Sequence, residues 1–522
     1  MFFRSAIFAV LLIASGLGCK KSESAAPVSA PTVLSPDTIA SVHWVGKRRL
    51  DLDADAYYLS RVWSLPETSR LQSQTFDRLS AGLWRQLLGE QAAIQIPAGV
   101  LRPFFEELAL EESYLEIRAA IGAPPSLVLA TRVRTPYAGI WETNLAIAAE
   151  LLAGNTVTTD TAVHGWNLQR TNAPNLISLV RVSDWDILSV GPQQNLLSGD
   201  IAARIRHDGV PFVSAGTNLW FEADLAPSRL ADCFSMSIFD PRLSTLDRLN
   251  LNVSGDGANV ITRGHLTFSK PLPARLQPWQ LPMDLLHEPL TSLTVVRGLQ
   301  SWLAGLPVWR NLQISAPPDQ FFFWSLAGSP YQVYLAAPMP DARRQVSALT
   351  DRLLQNGNPW LAAHGYIGFD RASDSNGVTW GNLPDIKPFI KSAGDDAQGW
   401  FFAGLLPDRR TDASPPPAGL IQDILRRTNL VYYDWEVTGP RLQPAFQLGQ
   451  TVRLITRQPQ LPADSASAVW LNMLAPRLRT SATIISRTSP VELTFLRRST
   501  LGFTASELQL LAGWLESPSF PR

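Results

Sequence analysis

Residues 39–50, IASVHWVGKRRL, and residues 291–303, TSLTVVRGLQSWL, share one pattern: a strand-like run that ends at Gly46 or Gly298. Other resembling pairs follow in the same order along the chain. They are YLEIRAAIGAPPSLVLATRV from Tyr114 with FFFWSLAGSPYQVYLAAPM from Phe321, and TNLWFEADLAPSRL from Thr217 with TNLVYYDWEVTGPRL from Thr428. Chance similarity does not keep its order. We therefore predict two homologous lobes that arose by internal duplication.

Each lobe combines strand patterns with amphipathic helices. The dipeptide Asp256-Gly257 separates two strand-like runs and is a hairpin signal. Thr504 and Glu507 have the spacing of a capping box before LQLLAGWL. Strands joined by short turns pair antiparallel, and the helices have one apolar face. The sequence thus predicts an α+β fold in which each lobe is a mainly antiparallel sheet with helices packed on one face.

Changes in composition divide the 522 residues into five segments. We predict a signal peptide at 1–18, a flexible tether at 19–36, the first lobe at 37–272, a Pro-rich crossing at 273–283 and the second lobe at 284–522. The tether is rich in Ser, Ala and Pro, a composition that buries too little apolar area to offset the entropy of ordering the chain.

The N-terminal segment has the pattern of a targeting signal. Arg4 precedes an apolar run from Ala6 to Ala14, which is too short to span a bilayer, since a spanning helix needs about 20 residues. Small residues then lead to Cys19. This pattern resembles the lipobox of bacterial lipoprotein precursors, and the resemblance implies that Cys19 is acylated and becomes the first mature residue. An ordinary cleaved signal peptide is the alternative.

The resemblance also implies a location and a partner. The partner is the lipid bilayer, held through acylated Cys19, and the folded part lies in the cell envelope on the periplasmic side of a membrane. Lys20 follows the cysteine in place of the Asp that retains some lipoproteins at the inner membrane, so the outer membrane is favoured. The remainder of the chain is similar to uncharacterised exported bacterial proteins with duplicated α+β lobes.

Charge and cysteine content exclude some classes of function. The chain has 45 basic and 45 acidic residues, so no net field attracts nucleic acid, and we predict no nucleic-acid partner. Cys19 and Cys233 are the only cysteines. If Cys19 is acylated, Cys233 has no partner within the chain, and its apolar neighbours predict a buried, inert thiol.

No catalytic or cofactor motif is recognisable. The nucleophile elbow, the P-loop and the dinucleotide fingerprint do not occur. The six histidines are scattered singly rather than in the short-spaced pairs of zinc sites. We therefore predict no cofactor, no metal site and no identifiable catalytic residue. The carboxylates of FFEELALEE, which are Glu106, Glu107, Glu111 and Glu112, are interpreted as a solvated helix face rather than a catalytic pair.

The tripeptide His-Gly-aromatic occurs twice, as His164-Gly165-Trp166 and His364-Gly365-Tyr366. One interpretation is a pair of ligand-binding sites in which the imidazole donates a hydrogen bond and Trp166 or Tyr366 stacks. The other is structural, with the glycine permitting a sharp turn while the aromatic ring fills the core. Both copies are placed at the start of a strand after a helix.

These observations favour a membrane-anchored exported lipoprotein that acts as a non-catalytic binding or envelope-structural module, with an unknown protein, glycan or lipid partner. Whether the protein is an enzyme stays open, although the missing motifs lean against it. The alternative is an exported hydrolase whose carboxylate- or histidine-based site gathers from distant segments.

Overall fold

The computed structural model describes residues 35–88, 99–120, 122–160, 164–169, 175–193, 196–213, 216, 218–234, 245–273, 275–306, 317–372, 377–380, 386–394, 399–407 and 414–521. Helices and antiparallel strands alternate through these residues, which confirms the predicted α+β class. The predicted signal peptide and all but the last two residues of the tether lie outside the described residues, as does Cys19.

Ten strands lie in the described residues of the first half of the chain. They are β1 (Thr38–Trp44), β2 (Ser113–Arg118), β3 (Ser126–Arg132), β4 (Thr158–Asp160), β5 (Gly165–Gln169), β6 (Asn175–Val182), β7 (Trp185–Pro192), β8 (Phe221–Leu225), β9 (Leu246–Gly255) and β10 (Val260–Phe268). Hydrogen bonds connect them, all antiparallel, in the order β4-β5-β6-β7-β3-β2-β1-β8-β9-β10.

Ten further strands belong to the second half. They are β11 (Leu290–Arg297), β12 (Gln320–Leu326), β13 (Val333–Pro338), β14 (Phe369–Arg371), β15 (Gly377–Trp380), β16 (Phe389–Ala393), β17 (Trp400–Gly404), β18 (Leu430–Val437), β19 (Thr480–Ser489) and β20 (Glu492–Ser499). Their order is β14-β15-β16-β17-β13-β12-β11-β18-β19-β20, which repeats the order of the first half strand for strand.

The two halves join in one sheet because β10 pairs antiparallel with β20. Arg263 lies opposite Leu496 in this central pair. An approximate twofold axis normal to the sheet passes between these two residues and relates the two halves. When directly opposite neighbours are followed strand by strand outward from Arg263 and from Leu496, the residues reached on corresponding strands are equivalent. The shared order supports internal duplication, which stays our inference.

The helices lie in the connections between strands. They are α1 (Lys47–Leu50), α2 (Tyr57–Trp63), α3 (Pro66–Leu88), α4 (Arg102–Leu110), α5 (Thr135–Ala153), α6 (Ser198–Asp208), α7 (Pro227–Phe234), α8 (Gln300–Ala304), α9 (Ala342–Arg352), α10 (Asn358–Ala363), α11 (Ala418–Leu425), α12 (Thr438–Ile455), α13 (Ala466–Leu474) and α14 (Ala505–Leu515). A π-helical turn at Leu353–Gly357 joins α9 to α10.

One face of the sheet, called the first face below, carries a helical layer across its centre. Helices from both halves share a single apolar cluster there, so the halves also share a core. Its members include Trp84 of α3, Leu108 of α4, Leu442 of α12, Leu474 of α13 and Leu508 of α14, packed on Leu115 and Val253 of the sheet.

The opposite face, called the second face, carries α6 toward one end and α11 toward the other. In the first half, Ile201 and Ile205 of α6 pack on Val128 and Ile187. In the second half, Leu420 and Ile424 of α11 pack on Val295 and Phe402, beside Leu285 and Leu286 of the segment that crosses between the halves. The expectation of helices on one face only is therefore wrong.

The physical reason is visible in the strands themselves. Val128 and Leu129 are adjacent in β3 and point to opposite faces, yet they are 0% and 8% exposed. A strand that is buried on both sides needs a covering layer on both sides. None of the helices in the described residues combines the length and the apolar character that crossing a bilayer requires.

Candidate functional site

A single row of cross-strand neighbours runs over the second face and passes through the central pair. Residues that are directly opposite each other on adjacent strands point to the same face. In the first half the row consists of Tyr114, His43, Glu222, Asn252 and Arg263. In the second half it continues through Leu496, Ile484, Tyr433, Val295 and Phe322.

The polarity of the row changes at the twofold axis. His43 is equivalent to Val295, and Asn252 is equivalent to Ile484. The neighbouring row behaves in the same way, because Glu116 of the first half has Trp324 as its counterpart. Equivalent positions of the second face are thus polar in the first half and apolar in the second.

The first face has the reverse arrangement. Ala223 and Val42 of the first half are buried apolar residues, and their counterparts are Asp434 and Thr294. On its inner strands, each half therefore has a polar buried row on one face of the common sheet and an apolar one on the other, whereas its outer strands are apolar on both faces. The polar rows are the part of each half in which chemistry other than apolar packing can reside.

His43 is the centre of the first polar layer. Its Nε2 lies 3.1 Å from Oε1 of Glu112 and its Nδ1 lies 3.3 Å from Oε2 of Glu222. The ring stacks on Phe212 at 3.6 Å between centroids, and the residue is 5% exposed. Burial lowers the pKa of His43, but the hydrogen bonds to the two carboxylates outweigh it and hold the pKa above its usual value. Each ring nitrogen is thus within hydrogen-bond distance of a carboxylate oxygen, and the two carboxylates favour the imidazolium form of the ring.

Arginines complete the charge balance around Glu112. Nη1 of Arg132 donates to its Oε2 at 2.9 Å, and Nη1 of Arg49 lies 3.6 Å from its Oε1. Glu112 is the second residue after the end of α4 and comes just before β2, where it is 4% exposed. The expectation that Glu111 and Glu112 belong to a solvated helix face is therefore wrong. The helix ends at Leu110 and the chain turns both carboxylates inward, where arginines neutralise them.

Glu116 of β2, four residues after Glu112, forms a second ion cluster. It is 0% exposed and accepts hydrogen bonds from the Tyr114 hydroxyl at 2.8 Å and from Nη1 of Arg204 at 2.9 Å. Burial raises its pKa, but Arg204 and the hydroxyl hold it below the usual value. Arg204 belongs to α6, and so does Asp200, which accepts from Arg118 of β2 at 2.7 Å. These ion pairs hold α6 in position on the second face.

The polar layer of the second half lies on the first face beneath α12 and α14. Oε1 of Glu436 accepts the backbone N–H of Ala505, the first residue of α14, at 2.7 Å. Its other oxygen lies 3.4 Å from Nε of Arg441. Burial raises the pKa of Glu436 to about 7, against the lowering effect of Arg441. Beside it, Asp434 accepts from the Thr294 hydroxyl at 2.5 Å, and burial raises its pKa as well.

Replacing Glu436 with glutamine is expected to flatten the dependence of stability on pH. The carboxyl binds its proton more tightly in the folded state than the unfolded value of 4.5 allows, so its contribution to stability is full below pH 4.5 and is lost as the pH rises through about 7. A rise of about 2.5 pKa units at 1.4 kcal/mol per unit limits this loss to roughly 3–4 kcal/mol. Urea unfolding of both proteins at pH 5 and pH 8 measures it.

The matched control is Asp247→Asn, at an exposed carboxyl on β9. It should leave the difference between the two pH values unchanged. A Glu436→Gln protein that loses as much stability as the wild type between pH 5 and pH 8 would contradict the assignment of the titration to Glu436.

Between α6 and α11 the second face is open to solvent. We call this surface the open central face. It consists of side chains of β9, β10, β20 and β19 that point to the second face, namely Arg248, Asn250, Asn252, Arg263, His265, Glu492, Thr494, Leu496, Ile484 and Ser486, with Arg498 beside the buried Ile261 toward one end. Oε1 of Glu492, whose side chain is 36% exposed, lies 3.2 Å from Nδ1 of His265. The exposed fraction of the side chains increases from β1 toward the open central face, from 6% for His43 to 57% for His265. The buried polar layer of the first half thus continues into an accessible surface.

The first His-Gly-aromatic tripeptide lies away from this surface. His164 is exposed, at φ 46°, immediately before β5, and Trp166 is 6% exposed in a cluster beneath α5. Gly165 has no space for a side chain, since a Cβ there would lie 2.0 Å from the carbonyl oxygen of Leu179. Its local role matches the structural interpretation, in which the glycine permits the path of the chain and the aromatic ring fills the core.

The second tripeptide is in a different environment. His364 ends α10, where its ring lies 4.3 Å from that of Trp360, and β14 begins only at Phe369. Tyr366 is half-buried and donates its hydroxyl to the carbonyl of Ile455 at 3.3 Å. The ladders make Gly377, not Gly365, the counterpart of Gly165. The expectation that both tripeptides start a strand after a helix is therefore wrong for the second, and the two histidines do not meet.

Sequence reasoning missed the cluster around His43. Its three members come from residues 43, 112 and 222, so no local spacing reveals them. The alignment of IASVHWVG with TSLTVVRG already places His43 opposite Val295, and that exchange of a charged group for an apolar one was the available signal. In the part of the chain that the structure describes, no group of three or more His, Cys, Asp or Glu is placed to hold a metal ion.

Fold and site together define an α+β protein whose single antiparallel sheet carries an accessible polar surface. No protein-family model matches the chain, and no curated protein matches it. The chain is similar to a solved structure described as crystal form III of TP0453, with 9% sequence identity and a TM-score of 0.23. That match covers 57% of this chain and 92% of the other. A TM-score of this size carries no argument about fold or function.

Proposed function

We propose that this protein is a membrane-anchored exported lipoprotein whose folded part is a non-catalytic binding or envelope-structural module. The anchor is acylated Cys19, and the module faces the periplasm from a membrane, with the outer membrane favoured. Two or three acyl chains on one residue give a durable anchor, whereas a single chain holds a protein only marginally. The support for this part is the short apolar run that ends at Cys19.

The observation that carries the binding part is the open central face. It is a floor of polar side chains, mainly arginine, asparagine and histidine with Glu492 among them, together with the aliphatic Leu496 and Ile484, and it lies between α6 and α11. Aliphatic and guanidinium groups together are typical of protein interfaces, where arginine is enriched. Small-molecule sites are instead concave and enclose most of their ligand. The surface therefore fits a macromolecular partner better than a small substrate.

Replacing Cys19 with alanine is expected to abolish labelling by an alkyne analogue of palmitate and to move the protein from the membrane fraction to the soluble periplasmic fraction. The reason is that the thiol is the acylation site and no other anchor is proposed. Labelling, fractionation and the mass of the mature N-terminal peptide measure the result in a bacterial expression host.

Cys233→Ala is the matched control, because Cys233 is the second cysteine of the chain and is predicted to be inert. It should keep both the label and the membrane location. A mature peptide with an unmodified thiol at residue 19 would overturn the anchor.

The second candidate is an exported hydrolase whose site includes His43 with Glu112 and Glu222. The observation in its favour is that these groups come together from distant segments. The observation against it is that carboxylates engage both ring nitrogens while Phe212 covers the ring, which leaves the imidazole unsuited to accept a proton from a substrate. Turnover of model glycosides, esters or peptides that is lost in His43→Gln and retained in His207→Gln would favour the hydrolase.

A further inference from the structure

The open central face consists of interior strands, and this limits how a partner can bind. Each of β9, β10, β20 and β19 has hydrogen-bonded neighbours on both sides. Their backbone groups are therefore already paired, so an added strand cannot dock by main-chain hydrogen bonds, as it does at a sheet edge. Recognition has to use the side chains that stand on the face.

The dimensions of the surface suit a helix. Four adjacent strands at about 4.8 Å spacing give a floor about 19 Å wide. An α-helix with its side chains is about 10–12 Å across, so one helix fits between the flanking elements with room for contacts on both sides. α6 and α11 already pack on the same face to either side, so a further helix there would continue an existing layer.

The charges of the floor are oriented outward. The Arg498 side chain is 49% exposed, whereas that of its partner Asp256 is 3% exposed. In the pair of Arg248 with Asp224 the arginine side chain is again the more exposed one, at 37% against 24%. Asp224, on the neighbouring strand β8, and Asp256, in the turn between β9 and β10, hold the guanidinium groups and are less exposed than they are, so N–H donors remain toward solvent. Such donors form their strongest hydrogen bonds with carboxylates, often in bidentate geometry.

Apolar contacts lie immediately beside these charges. Leu496 is directly opposite Arg263, and Ile484 follows on the next strand. Both are partly exposed. The floor therefore offers two aliphatic side chains directly beside Arg263, with Arg498 two residues beyond Leu496 on the same strand. A partner that matches both has an apolar stripe and an adjacent acidic edge.

We propose that the open central face is the docking site for an acidic amphipathic helix of a partner protein, bound with its apolar stripe on Leu496 and Ile484 and its carboxylates on Arg263, Arg248 and Arg498. This inference rests on the proposed binding function and names the class of partner. It is independent of the membrane anchor, which is tested at Cys19 in cells, whereas docking is tested with purified protein.

The probe is a synthetic 18-residue amphipathic helical peptide with leucines on one face and glutamates along its edge, compared with the same peptide carrying lysines in place of the glutamates. Binding to the purified mature chain is measured by fluorescence anisotropy. We expect the acidic peptide to bind at least tenfold more tightly than the basic one. Arg263→Glu and Leu496→Asp should each weaken its binding about tenfold or more.

The matched control is Arg70→Glu, an exposed arginine on α3, which lies on the first face. It should leave binding unchanged, and circular dichroism should confirm that all three variants are folded. Equal binding of the two peptides, or binding that is unaffected by both floor variants, would overturn the proposal. Sedimentation showing that the chain dimerises, with dimerisation lost in Leu496→Asp, would assign the surface to a second copy and would also overturn it.

Discussion

Replacing His43 with valine is expected to lower the free energy of unfolding by about 3 kcal/mol, because it removes the positive charge that lies between two buried carboxylates. Valine is the residue at the equivalent position of the second half, Val295, so the backbone accepts it there. Glu112 and Glu222 would instead lose the donor that each ring nitrogen supplies. Urea unfolding followed by circular dichroism at pH 6 measures the change.

The effect should also depend on pH. The folded state holds the pKa of His43 above 6.5, so the stabilisation by its charge is complete below pH 6.5 and is lost as the pH rises through the raised value. The difference between the wild type and His43→Val should therefore shrink from pH 6.5 toward pH 9. His207→Val is the control, since the His207 side chain is 87% exposed and a surface substitution changes stability by about 0.5 kcal/mol or less.

A triple variant separates the charge from the shape of the site. His43→Val combined with Glu112→Gln and Glu222→Gln removes the imidazolium together with both carboxylates. It should recover much of the loss, because a neutral buried cluster does not leave a charge uncompensated. A single His43→Val protein as stable as the wild type at pH 6 would show that the ion cluster does not stabilise the fold.

Replacing Gly165 with alanine is expected to cost about 2–3 kcal/mol by overpacking. The added Cβ would lie 2.0 Å from the carbonyl oxygen of Leu179 on β6, and a backbone atom in a ladder cannot move aside as a flexible side chain can. Gly377→Ala should behave in the same way, since its Cβ would lie 1.9 Å from the carbonyl oxygen of Ile390. Thermal unfolding of both variants measures the effect.

Gly139 supplies the opposite expectation. It lies in α5 with nothing within 4 Å of its Cβ direction, so Gly139→Ala should stabilise the protein by about 0.5–1 kcal/mol through higher helix propensity. Equal effects of Gly139→Ala and Gly165→Ala would contradict the assignment of close backbone packing to the two strand glycines.

Local signals predicted local structure well. Asp256-Gly257 forms the turn between β9 and β10, with Gly257 at φ 80°, and Thr504 and Glu507 form the capping box that begins α14. These features depend on residues that are near in sequence, so their chemistry can be read directly. The α+β class follows from the sum of such elements.

The missed features depend on residues that are far apart in sequence. The sequence places Glu112 on a solvated helix face because it follows Glu106, Glu107 and Glu111 at helical spacing. The end of α4 at Leu110 instead turns it toward His43. The two halves join in one sheet through the pairing of β10 with β20, and no periodicity of the sequence predicts that pairing. The open central face is a product of that pairing.

The His-Gly-aromatic tripeptides show a different error. The shared tripeptide suggests that His164 and His364 are equivalent, whereas the strand pairing makes Gly377 the residue of the second half that is equivalent to Gly165. The interval from Gly365 to Gly377 contains β14, so the second tripeptide lies before the edge strand rather than after it. Short identities mark equivalent positions only when the pairing of strands agrees.

The seam between β10 and β20 has a consequence for synthesis and export. β20 is the last strand of the chain, and more than 220 residues separate it from β10. Ribosomes add about 5–20 residues per second, so β10 emerges on the order of ten seconds or more before its partner exists. Throughout that interval its outer N–H and C=O groups form a long, unprotected edge that can template aggregation. A chain held unfolded until its C-terminus is free avoids this hazard, and under the export route that we propose, folding after translocation would provide that delay.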